Sequence, residues 1–67
     1  MSIAKTTEIS AGSKVSFDDA IRLGMQRATK TLDNVKSAWV QSQEVIAGEG
    51  SIDEYRVHLK VTFILDD

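Results

Sequence analysis

His58 is the one histidine among the 67 residues, and histidine is the side chain most often used as a general base. No Ser, Cys or Asp stands in a nucleophile motif that would use it. Gly48-Glu49-Gly50 lacks the strand-to-helix setting of a phosphate loop. No catalytic residue is assigned, the chain is not read as an enzyme, and His58 fits a polar structural network. With no cysteine and one histidine, thiolate zinc sites, iron–sulfur clusters and His-rich metal centres are excluded. The carboxylates (Asp18/Asp19, Glu49, Asp53/Glu54, Asp66/Asp67) lack EF-hand spacing. A cation shared between subunits by such groups stays open, with no metal ligand assigned.

A second set of residues offers binding chemistry. Ser37, Trp39, Gln41 and Gln43 alternate along one stretch, and Arg56, His58, Lys60 and Thr62 along another. If both stretches are strands, period-two alternation brings the two rows to one sheet face. That face would carry one large aromatic among hydrogen-bonding groups. The indole of Trp39 supplies stacking area, while Gln41, Arg56 and His58 could reach the oxygens and nitrogens of a planar heteroaromatic ligand. The competing reading makes Trp39 a subunit-interface residue, a role in which tryptophan is enriched. Both hold if a ligand site lies between subunits.

These rows need elements to position them. Residues 3–10 are rich in β-branched types and predict a short strand, with Ala11-Gly12-Ser13-Lys14 as a turn. Ser16 is placed to N-cap a helix, with Asp19 three positions on and Asp18 in the favourable first turn. Ile21, Met25, Ala28 and Leu32 recur at helical spacing, predicting one amphipathic helix over Phe17–Leu32. Gly24 inside it costs ~1 kcal/mol against alanine, which a close backbone approach would justify. Strands over Val35–Ile46 and Asp53–Leu65 come next, joined by a glycine-containing hairpin loop at residues 47–51. In the last strand Tyr55, Val57, Leu59, Val61, Phe63 and Leu65 alternate with Glu54, Arg56, His58, Lys60 and Thr62. The apolar set, joined by Ala38, Val40 and Ile46, belongs under the helix. The expected fold is α+β: β-α-β-β, a three-stranded antiparallel sheet with one helix packed on one face, as a single domain over residues 1–67.

Composition narrows the partners. Ordering 67 residues costs on the order of 100 kcal/mol at ~1.5 kcal/mol each, which one small core barely offsets. Without disulfides, partner subunits are the expected remedy. A twelve-residue strand reaches ~40 Å, whereas a compact globule of this length has a radius of gyration of ~11 Å. Such a hairpin must curve or project onto neighbours. Eight basic and ten acidic residues give a net charge of −2, which argues against nucleic acid. No apolar stretch reaches the ~20 residues that span a bilayer, and the N-terminus lacks the apolar segment of a signal peptide. The expectation is a soluble, cytoplasmic, self-associating subunit.

The order of elements, together with Ser16-Phe17-Asp18-Asp19-Ala20, Arg27-Ala28, Leu32-Asp33-Asn34-Val35 and the closing Tyr55-Arg56-Val57-His58-Leu59-Lys60-Val61-Thr62-Phe63, resembles the dodecins over essentially the whole chain. The resemblance implies a β-α-β-β subunit of a hollow homododecamer. It also implies a non-catalytic storage or sequestering role, with riboflavin or FMN bound between subunits. In flavin-binding dodecins a tryptophan early in the second strand stacks on the isoalloxazine ring and a glutamine early in the third meets its polar edge. The matching positions here are Ser37 and Arg56. At these positions the chain is similar to members lacking the stacking tryptophan, described as calcium-binding, so a flavin-free shell with calcium-like cation sites at subunit contacts is the alternative. Trp39, ~7 Å from position 37 along the same strand face, offers a shifted platform.

Overall fold

The computed structural model describes residues 3–65. Strand β1 (Ile3–Ser13) leads to helix α1 (Phe17–Thr31), then β2 (Val35–Ala47) and β3 (Ile52–Leu65). The sheet order is β1-β3-β2 with both pairings antiparallel. β1 and β2 therefore run parallel to each other, α1 crosses between them, and β3 fills the gap. This is the expected fold class.

The boundaries differ in one instructive place. β1 continues through Ser13 because Gly12 and Ser13 pair with Arg56 and Tyr55, so the predicted turn at residues 11–14 is mostly strand. The buried Ser13 hydroxyl then serves the chain reversal, accepting from Val15 N–H at 2.9 Å and donating to Asp19 Oδ2 at 2.7 Å. Ser16 caps the helix as expected, its Oγ accepting from Asp19 N–H at 3.0 Å. At the far end Asn34 adopts φ 60°, a left-handed conformation that asparagine tolerates, and its carbonyl accepts from Ile64 N–H at 3.1 Å. The hairpin closes through Gly48 N–H to Ser51 C=O at 2.8 Å, with Gly50 at φ 73° where a side chain would be strained.

The core is Ala20, Ala28, Val57, Leu59 and Val61, flanked by Ile9, Ala11, Phe17, Ile21, Met25, Leu32, Val35 and Ala38. Fully burying one such aliphatic side chain of β3 contributes ~1.5–3 kcal/mol. The central position of β3 makes it the floor of this core. Gly24 allows the close approach its placement suggests: a Cβ there would lie 3.0 Å from Ala11 Cβ and 3.3 Å from Leu59 Cδ1. Phe17 meets Tyr55 edge-on at 5.2 Å, sealing the end nearest the hairpin.

The folded chain is long. Its extents are 52 × 19 × 13 Å and its radius of gyration is 13.8 Å, against ~11 Å for a compact chain of this length. Its 4765 Å² of accessible surface exceeds the about 4,200 Å² expected of a monomer of this mass. Nearly all of β2 is exposed, so the sheet holds more surface than one helix covers. Among the described residues no helix is long and apolar enough to cross a membrane.

Candidate functional site on the sheet face opposite the helix

β3 builds the site because its alternation is unbroken. Val57, Leu59 and Val61 point to the helix, leaving Glu54, Arg56, His58, Lys60 and Thr62 on the other face. β1 adds Thr6, Glu8, Ser10 and Gly12, the register partners of Thr62, Lys60, His58 and Arg56. β2 adds Ser37 opposite Thr62 and Trp39 opposite Lys60, as expected from alternation. Beyond Trp39 the expectation fails. Register shifts lie between Val35 and Ser37, between Val40 and Ser42, and between Ile46 and Ala47. The middle one leaves Gln41 without a register partner and reverses the facing of the residues after it. Ser42 and Glu44, not Gln41 and Gln43, stand opposite His58 and Arg56. Gln43 instead opposes Val57 on the helix side, and Ile46, expected under the helix, opposes Glu54. A bulge inserts one residue into one strand and so flips the parity of every residue after it.

The basic side chains of β3 each meet a carboxylate. His58 Nε2 lies 2.9 Å from Glu44 Oε1 across to β2. Arg56 donates from Nε to Glu54 Oε2 at 3.1 Å and from Nη2 to Glu54 Oε1 at 3.4 Å, while Nη1 donates to Ser10 Oγ at 2.7 Å. Glu54 in turn packs over Gly12, where a Cβ would collide with its carboxylate. Lys60 Nζ lies 3.9 Å from Glu8 Oε1 and 5.6 Å from the centroid of the Trp39 ring. Such partly exposed pairs contribute ~0–1 kcal/mol each. Their larger effect is positional.

This geometry sorts the sequence-predicted residues. Arg56, at the position of the family's flavin-contacting glutamine, is held by Glu54 and Ser10. His58 belongs to a pair with Glu44, as a network histidine would. Ser10 Oγ accepts from Arg56 Nη1. Gln41 lines a shallow hollow of about 280 Å³ with Glu8, Ser42 and His58. Ser37 is exposed, and Trp39 is 65% exposed with Lys60 at its side. Sequence reasoning missed Glu44 and Glu8. Glu8 was legible, since it alternates with Ile9. Glu44 was hidden behind the bulge. Among the described residues no group of three or more His, Cys, Asp or Glu is arranged to hold a metal ion, so within one chain these residues do not form a cation cage.

With fold and face defined, the class is clear: a split β-α-β whose gap is filled by the hairpin's second strand, with one helix on one face and a polar sheet face on the other. The chain belongs to the dodecin family, whose model, Dodecin, matches residues 3–66. It is similar to dodecin from Streptomyces davaonensis, with 33% identity over 98% of this chain and 97% of that one, at a TM-score of 0.94. It is also similar to an arginine-to-alanine variant of Thermus thermophilus dodecin, with 30% identity over the whole of both chains and a TM-score of 0.94. A calcium-chelating antigen of Mycobacterium tuberculosis, described as a calcium dodecin with a novel calcium-binding site, is 26% identical over 96% of this chain and 91% of that one, with a TM-score of 0.84. No curated protein sequence matches the chain significantly.

Proposed function

We propose that this chain is the subunit of a hollow homododecamer that stores or sequesters a planar aromatic ligand, the family ligand being riboflavin or FMN, on the sheet face opposite the helix. Trp39 carries the reading: an exposed indole on a polar face, with the Lys60 ammonium 5.6 Å from its ring centre. Ser37 takes the place of the family's stacking residue and Arg56 that of its glutamine, so the ligand stacks on Trp39, ~7 Å further along the strand. An aromatic platform contributes ~0.5–1.5 kcal/mol beyond its buried area. Losing it at position 37 on both sides of a symmetric site makes binding in the family mode weak.

Light scattering should give a mass near twelve times 7.4 kDa; a stable monomer at micromolar concentration overturns the assembly. Titration of riboflavin and FMN, followed by flavin fluorescence quenching, tests the site. Wild-type affinity should be weaker than sub-micromolar, Trp39→Ala should abolish binding, and Ser37→Trp should strengthen it. Quenching that survives Trp39→Ala removes the shifted platform. The calcium-chelating relative supports a second reading, a flavin-free shell with cations at subunit contacts. Calorimetric titration of calcium into the flavin-free assembly separates the two, with heat released at micromolar calcium and none with FMN favouring the cation.

A further inference from the structure

One rung of the sheet sets three chemically unlike side chains side by side. Glu8 of β1 and Trp39 of β2 are both register partners of Lys60 on β3, so a carboxylate, an ammonium and an indole share one level of the face opposite the helix. The other two basic side chains that β3 places on that face are closely paired. His58 Nε2 lies 2.9 Å from Glu44 Oε1, and Arg56 donates to Glu54 and Ser10. Lys60 is held more loosely. Its carboxylate partner, Glu8 Oε1, is 3.9 Å from Nζ, beyond hydrogen-bond reach, and the Glu8 side chain is 70% exposed. Its other contact is the Trp39 ring, over which Nζ stands 5.6 Å from the centroid. Both attractions are weak at an exposed site. Lys60 therefore rests on the indole face without being fixed there.

We infer that Lys60 makes the Trp39 platform selective for planar aromatic ligands carrying an anionic group, a phosphate or a carboxylate, on a short arm, and that Glu8 opposes this selection. The inference rests on the reading of Trp39 as the stacking platform and names the charge of what stacks there. A ring lying on the indole face that Lys60 covers must push the ammonium toward the ring's rim. An uncharged ligand takes away the cation's aromatic partner and leaves it water and the loose contact with Glu8. A ligand with an anion gives the displaced ammonium a charge-assisted hydrogen bond, which is shorter and stronger than a neutral one. The flexible stem and rotatable donors of a lysine suit an anion whose position is not set in advance. Glu8 acts in the opposite sense, because it repels the arriving anion and competes for the same ammonium.

The test compares riboflavin with FMN, which share one ring system and differ by a terminal phosphate, titrated into the full-length protein and read by flavin fluorescence quenching. At low salt FMN should bind about tenfold tighter than riboflavin, the equivalent of one hydrogen bond between charged groups. That ratio should shrink in salt on the order of 0.5 M, where exposed charges are screened. Lys60→Gln should bring the two ligands to parity and Lys60→Arg should restore the preference, with circular dichroism checking that each variant is folded. Glu8→Gln should widen the ratio by about two- to fivefold. Parity in the wild type, a preference that survives Lys60→Gln, or one that narrows in Glu8→Gln overturns the charge selection and leaves stacking on Trp39 standing. Binding of neither ligand at millimolar concentration, or quenching of both that survives Trp39→Ala, overturns the platform and the selection together.

Discussion

β2 and β3 are neighbours of almost equal length, yet they behave as two kinds of strand. β3 is hydrogen-bonded on both edges and carries Val57, Leu59 and Val61 at 0%, 1% and 0% exposure. β2 has one free edge, extra residues at Lys36 and Gln41 that the register skips, and exposure along nearly its whole length. The helix explains the contrast, since it lies over β1 and β3 and scarcely touches β2. A strand held on both edges under a helix cannot slip, because a one-residue shift would move its apolar set to water. An edge strand without that cover is free to bulge. Bulges re-aim side chains, and here one of them brings Glu44 to His58. Packing thus resides in β3, and the facing of polar groups on the sheet is set from β2.

The widest separation between the strands should appear at one rung. Leu59 and Val40 are register partners, but Leu59 is 1% and Val40 38% exposed. Leu59→Ala should cost about 2–5 kcal/mol in denaturant unfolding, and Val40→Ala under ~1 kcal/mol because its site already opens to solvent. Equal losses would show that β2 is as well covered as β3.

Gly24→Ala is a finer probe of the helix's seat on β1 and β3. The gain in helix propensity is ~1 kcal/mol, but the new methyl meets Ala11 Cβ at 3.0 Å and overpacking costs ~1–3 kcal/mol. A net destabilisation of about 1 kcal/mol is expected. Stabilisation by this change would mean the helix stands further off the sheet.

A pH dependence localises to the β1–α1 junction. The hydroxyl of Ser13, and after it the guanidinium of Arg22, hold the Asp19 carboxyl below its ordinary value of 3.8. A carboxyl that is more acidic folded than unfolded stabilises the fold above its unfolded value, and that contribution is lost as pH falls through the folded one. Thermal stability should therefore decline below about pH 4, with a shallower decline in Asp19→Asn. An identical acid slope in wild type and Asp19→Asn would place the acid sensitivity elsewhere.

The smallest effect on the fold should come from Trp39, on the face away from the helix. Trp39→Ala should leave the far-ultraviolet circular dichroism unchanged. In the wild-type assembly the indole should be covered by a neighbouring copy, so its emission should shift to the red on dissociation, before secondary structure is lost. Emission already red and freely quenched by iodide in the intact assembly would show that Trp39 faces bulk water there.

Local signals sufficed for the elements. Ser16 as cap, the spacing of Ile21, Met25 and Ala28, and the eleven-residue alternation of β3 each arise from covalent geometry and solvent preference, which act over a few residues. The resemblance carried by residues 16–35 and 55–63 extended that reading to the family. Facing within β2 was not legible, because a bulge changes side-chain parity without any mark in composition. Gln41 and Gln43 were therefore expected where Ser42 and Glu44 stand. The commitment of Arg56 to Glu54 and Ser10 was equally hidden, since Ser10 is 46 positions away and reaches it through the β1–β3 register. Sequence alone determined which segments form the helix and strands and which residues must leave water. Tertiary structure alone decided which polar groups meet, because those distances depend on strand register, and register is settled by packing the whole sheet against one helix.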